Sequence, residues 1–178
     1  ERVSDELVRA MGSSPDDPYS LIYATLISAL RSAQSEIWIT NAYFLPDWQL
    51  LEALMAAASS GVDVRLILPS STDSWLVFHA GRAHYYELLV AGVKIYERRD
   101  ALLHAKSAVI DGVWSTVGST NMDWRSFLHN QELNAVVLGT EFGDLMRAAF
   151  KSDVAKSEQI TLEQWQRRSL VLRIKEQS

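Results

Sequence analysis

The chain has 178 residues, of which 48% are hydrophobic and 22% are charged. This length suits a single domain with its own core, and the composition is that of an ordinary globular protein. Lys and Arg total 17 against 22 Asp and Glu, a formal net charge of -5, which argues against a general electrostatic affinity for nucleic acid. Cysteine is absent, which excludes disulfides and thiolate metal sites.

The first half of the chain alternates apolar runs of strand length with longer amphipathic runs. A short edge strand is expected at residues 7–11, and Asp17 is a candidate N-cap with Pro18 at the first helical position. The predicted elements that follow are a helix to about residue 33, a strand region at 36–44, a helix capped by Asp47 that stops before Gly61, a strand at 62–68, a helix over about 74–90 and a strand at 93–96. Strands and helices alternating at these lengths are typical of an α/β sheet with helices covering its faces.

The second half of the chain has a different pattern. Two short strands meet at Asp111-Gly112, which is a strong hairpin signal. A strand at 132–138 and helices at about 141–157 and 162–173 follow. We predict one α/β domain over residues 1–178, with a mixed β-sheet flanked by helices on both faces and with residues 1–17 as a strand and linker that lead into it.

The residues that indicate chemistry begin at His104. Side chains alternate across a strand, so His104 and Lys106 share one face, with the small Ala105 between them. A Lys ammonium neutralises phosphate charge, and a neutral imidazole acts as a nucleophile or a base. Asp111 is an odd number of residues away and precedes Gly112, so a structural role in the turn is favoured for it.

A small polar loop follows the hairpin, with the sequence Gly118-Ser119-Thr120-Asn121. Such a loop can bring backbone N–H groups and the Asn121 amide close to phosphate oxygens. Together with Lys106, the loop residues Ser119 and Asn121 are therefore candidate phosphate ligands.

The spacing His104-x-Lys106-x4-Asp111-x6-Gly118-Ser119-x-Asn121 resembles the signature of the phospholipase D superfamily at every position. Further segments are similar to the C-terminal half of bacterial cardiolipin synthases, and the similarity runs from about residue 15 onward. These segments are Asn41-Ala42-Tyr43-Phe44-Leu45-Pro46-Asp47, Gly61-Val62-Asp63-Val64-Arg65, Ala91-Gly92-Val93-Lys94 and Asn121-Met122-Asp123-Trp124-Arg125-Ser126-Phe127.

The resemblance implies a covalent phosphohistidine mechanism without a metal or another cofactor. His104 would attack the phosphodiester, while Lys106 and Asn121 would hold its nonbridging oxygens. Glu132 resembles the carboxylate that orients the imidazole through its other nitrogen. Asp111 completes the family motif, which places it among the implied site residues despite its position in the turn.

The resemblance also implies a second half, because family enzymes use two such motifs and this chain has one. The partner would be an upstream domain, which the absence of an initiating Met favours, or a second copy of the chain. A phospholipid substrate, a membrane surface and a location at the cytoplasmic side of a bacterial inner membrane are implied as well. Transfer of a phosphatidyl group to a lipid alcohol such as phosphatidylglycerol is the leading hypothesis. A hydrolytic phospholipase or a dimeric nuclease, and an inactive half that binds phosphate or anionic lipid, are the alternatives.

Overall fold

The computed structural model describes residues 5–17, 19–71, 75–99 and 102–168. Within them the chain forms two sheets, one of eight strands and one of two. The strands are β1 (Leu7–Ser13), β2 (Glu36–Asn41), β3 (Phe44–Leu45), β4 (Asp63–Pro69), β5 (Lys94–Arg98), β6 (Lys106–Ile110), β7 (Trp114–Gly118), β8 (Met122–Asp123), β9 (Glu132–Leu138) and β10 (Ser157–Ile160). The helices are α1 (Leu21–Ser32), α2 (Trp48–Ser59), α3 (Trp75–Ala83), α4 (Tyr85–Val90), α5 (Trp124–Leu128), α6 (Thr140–Val154) and α7 (Leu162–Gln166).

The large sheet is mixed and has the strand order β1-β9-β7-β6-β2-β4-β5-β10. Its centre is parallel, because β2, β4 and β5 are joined by helical crossovers, as parallel neighbours require. Every other pair in it is antiparallel, including the β6–β7 hairpin. The small sheet pairs β3 with β8 in parallel. The predicted mixed α/β sheet is confirmed.

Helices cover both faces of the sheet, as expected. On one face α1, α2 and α4 bury alternate residues of the central strands, among them Ile37, Ile39 and Leu66. On the other face α6 packs on Trp38, whose ring stacks on Phe150 with centroids 5.3 Å apart. The alternation of buried faces fixes the register of β2, because a shift by one residue would exchange the two sets of side chains.

The start of α1 differs from the prediction. Ser20 is the N-cap, and its hydroxyl accepts a hydrogen bond from the Tyr23 N–H at 3.2 Å. The predicted cap, Asp17, instead accepts from the Ser14 N–H at 2.7 Å and closes a local turn. Aspartate is common both as a helix N-cap and as the residue that closes a local turn. The packing of α1 decides which of the two roles Asp17 takes. Pro18 lies outside the described residues, whereas the predicted cap of α2, Asp47, is confirmed by a 2.8 Å bond from the Leu50 N–H.

The predicted helix over 74–90 is two helices, α3 and α4, separated at His84; Ser74 lies outside the described residues. Strand β10 was not predicted, because its polar sequence forms a strand only through its pairing with β5. The helix expected over 141–157 therefore ends at Val154, and the last predicted helix is described only as far as Gln166.

Candidate functional site

The candidate site lies where strand β6 begins. Lys106 is the first residue of β6 and pairs with Asn41, the last residue of β2. This edge is also the carboxyl end of the parallel strands, where open α/β sheets place their ligands. His104 lies two residues before Lys106, outside the strand, and is exposed. The structure therefore brings the predicted His104–Lys106 pair to the usual ligand-binding edge of such a sheet.

Lys106 is a buried cation, with only 7% of its surface exposed. Its Nζ donates a hydrogen bond to the backbone carbonyl of His104 at 2.8 Å. Burial lowers the pKa of Lys106, and the negative charge of Glu132 partly opposes that effect. An ammonium held in this way is poorly solvated and close to His104, so a phosphate anion would stabilise its charged form.

Two side chains hold Glu132 from two sides, Ser119 in the loop after β7 and Asn130 in the segment before β9. The Ser119 hydroxyl donates a short hydrogen bond to Glu132 Oε2, and the Asn130 amide donates to Oε1 at 3.2 Å. The Leu133 N–H in turn donates to Ser119 Oγ at 3.0 Å. Ser119 is therefore part of the support of the loop as well as a candidate phosphate ligand. The role of Glu132 in orienting His104 stays a prediction.

A second polar residue of β9, Asn134, fixes the same loop from beneath. Its Oδ1 accepts from the Thr120 N–H at 3.3 Å and from the Thr120 hydroxyl at 2.8 Å, and its Nδ2 donates to Thr116 Oγ1 at 3.3 Å. Gly118 makes this packing possible. A Cβ at Gly118 would lie 2.2 Å from Asn134 Oδ1 and 2.3 Å from the Leu133 carbonyl oxygen. The motif glycine is therefore required by close approach between neighbouring strands.

Asn41 is a site residue whose role the sequence did not indicate. It is 1% exposed, and its Oδ1 accepts hydrogen bonds from the N–H groups of Tyr43 and Met122, both at 3.1 Å. These bonds tie the end of β2 to the residue that follows Asn121. One feature of the sequence could have indicated this role, an amide residue at the end of an otherwise apolar strand. A buried polar group of this kind requires hydrogen-bond partners.

Asn121 lies at the centre of this arrangement, between Thr120 and Met122, whose backbones are both held. Its Oδ1 is buried and has no hydrogen-bond partner within the described part of the chain. A buried amide oxygen without a partner costs stability, and such costs are commonly found at binding sites. Asn121 is therefore a strong candidate for a ligand-contacting residue.

Asp111 lies away from this group, at the opposite end of β6. Five residues of strand separate it from Lys106, which corresponds to roughly 16 Å. Its carboxylate accepts from the backbone N–H groups of Gln34, Ser35 and Glu36 at 2.9, 2.8 and 3.0 Å. Burial opposes ionisation, but these bonds prevail and hold the pKa of Asp111 below its ordinary value. The geometry supports the structural role and gives Asp111 no contact with the His104 end.

No group of three or more His, Asp or Glu side chains that could hold a metal ion occurs within residues 5–17, 19–71, 75–99 and 102–168. In the same ranges, none of the helices combines the length and the apolar character that crossing a bilayer requires.

Comparison with known proteins identifies the relatives of the chain. The model of the family described as "Cardiolipin synthase, PLD-like domain" matches residues 26–154. Cardiolipin synthase from Halalkalibacterium halodurans is 39% identical over 169 residues, 95% of this chain and 34% of the relative. Cardiolipin synthase A from Proteus mirabilis is 39% identical over 176 residues, 99% of this chain and 36% of the relative. The chain thus spans about a third of the length of these curated relatives.

Solved structures share the fold. Nuc from Salmonella typhimurium, a phospholipase D family member, aligns with a TM-score of 0.75 at 19% identity, covering 88% of this chain and 99% of Nuc. Phosphatidylserine synthase from Haemophilus influenzae aligns with a TM-score of 0.70 at 11% identity, covering 95% of this chain and 44% of that chain. With the family match over most of its length, the chain belongs to the phospholipase D-like domain family of the cardiolipin synthases.

Proposed function

We propose that this chain is one half of a phosphatidyltransferase, a single domain over residues 1–178 that moves a phosphatidyl group to a lipid alcohol such as phosphatidylglycerol. The observation that carries the proposal is the buried Lys106 ammonium bonded to the His104 backbone, beside the Asn121 loop. The net charge of -5 favours a lipid over a nucleic acid as the phosphodiester.

The proposed reaction has two displacements at phosphorus. In the first, an imidazole nitrogen of His104 attacks, the P–O bond to the leaving alcohol breaks, and a histidine of the other half gives that oxygen a proton. In the second, the oxygen of the acceptor alcohol attacks phosphorus, the P–N bond to His104 breaks, and the acceptor's proton passes to the same second histidine. Splitting one displacement into two is the advantage of a covalent intermediate.

The remaining site residues would stabilise charge. Lys106 and the Asn121 amide would donate to the nonbridging oxygens, and Ser119 would present its hydroxyl and backbone to the same phosphate. Such donors act where negative charge develops, and each is worth about 3 kcal/mol of the barrier. Glu132 would orient the His104 imidazole. Asp111 would keep the start of β2 and the end of β6 together.

The other half is proposed to contact one face of the large sheet at its β1 end. Val8, Val117 and Leu133 lie on one face of neighbouring strands and are 63%, 43% and 61% exposed. Apolar side chains grouped in this way commonly mark an interaction surface. An upstream domain or a second copy of the chain would cover this strip and supply the second histidine. The protein would work at the cytoplasmic face of a bacterial inner membrane, where its lipid substrates lie.

The test uses the full-length protein with vesicles of phosphatidylglycerol. We expect cardiolipin and glycerol as products, and neither product from the His104→Asn variant, because an amide cannot form the P–N bond. Tyr86→Phe, a change in an exposed ring on α4, is the matched control and should keep full activity.

Mass spectrometry separates this proposal from its alternatives. A phosphatidyl adduct on His104 indicates a live site, while reversible lipid binding without an adduct indicates an inactive half. Release of phosphatidic acid in place of cardiolipin would indicate a hydrolase. Full activity in His104→Asn would overturn the assignment of the nucleophile.

A further inference from the structure

A cleft opens beside Asn121. It has a volume of about 220 Å³. Its walls combine apolar or aromatic side chains with amide, guanidinium, hydroxyl and carboxylate groups. The lining residues are Tyr43, Leu45, Asn121, Asp123, Trp124, Arg125, Ser126 and Asn130. None of these residues other than Asn121 has a role in the mechanism above.

The small sheet builds the cleft. Leu45 of β3 pairs with Asp123 of β8, so the two chain segments leave the sheet side by side. Asp123 then caps α5 by accepting from the Ser126 N–H at 2.7 Å, which turns Trp124 outward until it is 49% exposed. The Trp124 indole packs edge to face against His129, with ring centroids 5.1 Å apart. The aromatic wall is therefore held in place although it faces solvent.

The cleft is also connected to the loop after β7. Asn130, on its wall, donates through Nδ2 to Glu132 at 3.2 Å and through its backbone N–H to the Arg125 carbonyl at 2.9 Å. Glu132 is the residue that Ser119 also contacts. A molecule in the cleft would therefore lie next to the phosphorus held by Asn121 and against side chains that share hydrogen bonds with the loop.

Size and chemistry restrict what the cleft can hold. Sites for drug-sized ligands have volumes of about 300–1,000 Å³, so 220 Å³ suits a fragment the size of a glycerol rather than a fatty acyl chain. An aromatic face with amide and guanidinium groups around it suits a polyol, because C–H groups pack on the ring while hydroxyls take the hydrogen bonds. Asn121 also lines this cleft, so a polyol bound there would lie beside a candidate phosphate ligand.

We propose that this cleft binds the glycerol end of the acceptor alcohol and thereby selects polyols over simple alcohols. The inference rests on the proposed transfer through His104. In the second displacement a glycerol O–H held in the cleft attacks phosphorus, the P–N bond breaks and the proton leaves to the histidine of the other half. Trp124 and Arg125 are then specificity-determining residues of the reaction.

The test measures a product ratio, which does not depend on the overall rate. The full-length protein is given phosphatidylglycerol vesicles together with deuterated glycerol and 1-propanol at equal concentration, and mass spectrometry counts the two phosphatidyl alcohols. The unaltered protein should favour glycerol. Trp124→Ala and Arg125→Ala should each lower the glycerol-to-propanol ratio roughly tenfold, about the value of one hydrogen bond to a charged group or one ring contact. Tyr86→Ala, a change in an equally exposed ring (50%) far from the cleft, should leave the ratio unchanged.

Three results would overturn the inference, and each has a different meaning for the proposed function. An unchanged ratio in both cleft variants, with the unaltered protein active, removes the polyol site and leaves the proposed function standing. A fall in both products together, dependent on the acyl length of the donor, would assign the cleft to the donor's chains instead. If the unaltered protein makes neither product, the proposed function fails together with the inference. Arg125 is exposed, so its replacement keeps the test valid even where Trp124→Ala unfolds the protein.

Discussion

Asp111 offers the sharpest test of the site, because the family motif includes it and the structure gives it another task. Its carboxylate accepts four hydrogen bonds, from the N–H groups of Gln34, Ser35 and Glu36 and from the Ser35 hydroxyl at 2.8 Å. Its backbone is left-handed, with φ of 52°. Asp111→Gly removes all four bonds in a residue that accepts this φ freely, and Asp111→Asn keeps the turn while it removes the charge.

The loss of stability expected for the Asp111 variants follows from those four hydrogen bonds. The four hydrogen bonds lie mostly near the surface, so about 0.5–1 kcal/mol each is appropriate, or roughly 2–4 kcal/mol for Asp111→Gly. The added freedom of glycine in the unfolded chain and the relief of the left-handed backbone are each about 1 kcal/mol and oppose each other. Asp111→Asn retains part of the bonding and should cost about 1–1.5 kcal/mol.

Thermal unfolding and kinetics on the full-length protein measure the two roles separately. We expect Tm to fall by roughly 4–16 °C for Asp111→Gly, at about 2–4 °C per kcal/mol for a domain of this size. At temperatures well below Tm, kcat should stay within about twofold, because Asp111 lies roughly 16 Å along β6 from Lys106. A loss of kcat by about 10²-fold or more with Tm unchanged, the mark of a lost acid or base, would refute the structural assignment.

The contribution of Asp111 to the stability of the fold depends on pH, and the sign of that dependence follows from its pKa. The folded pKa of Asp111 is below its ordinary value of 3.8, so the unfolded chain binds the proton more tightly. The stabilisation that ionised Asp111 gives the folded chain is therefore fully present above about pH 3.8, and it is lost as the pH falls through the folded pKa. The Tm difference between the native protein and Asp111→Asn should accordingly be constant near neutral pH and narrow in acid. A difference that widens in acid would contradict this linkage.

Three further changes test the support of the site. Lys106→Met should abolish transfer without lowering Tm, because burial disfavours the charged ammonium; a clear fall in Tm would mean that the charge stabilises the fold. Gly118→Ala should destabilise by about 2 kcal/mol or more, since its Cβ would meet Asn134 Oδ1 at 2.2 Å, and a thermal melt equal to that of the native protein would contradict the close approach. Asn41→Ala leaves two N–H groups without an acceptor and should cost about 2–3 kcal/mol, with faster hydrogen exchange at Met122 as the local readout.

Much of the fold follows from local patterns in the sequence. The hairpin at Asp111-Gly112 was predicted from residue type alone, and both residues have positive φ, 52° and 64°, as such turns require. Strand β9 was predicted with its observed bounds, and Asp47 caps α2 as expected. That the side chains of His104 and Lys106 share one face stays a prediction from the alternation along a strand, because β6 begins at Lys106 and His104 lies before it. These features depend on spacing within a few residues, which the sequence displays directly.

The remaining features of the fold and of the site depend on the tertiary structure. One partner of Asn41, Met122, lies 81 residues away in the chain, and the partners of Asn134 lie 14 to 18 residues away, so no local pattern could identify these bonds. Strand β10 exists because β5 offers an edge to pair with, and the cleft beside Asn121 exists because β3 pairs with β8. Sequence spacing fixes which residues share a face of one element. Which elements become neighbours, and hence which polar groups meet in the interior, depends on how the whole core packs.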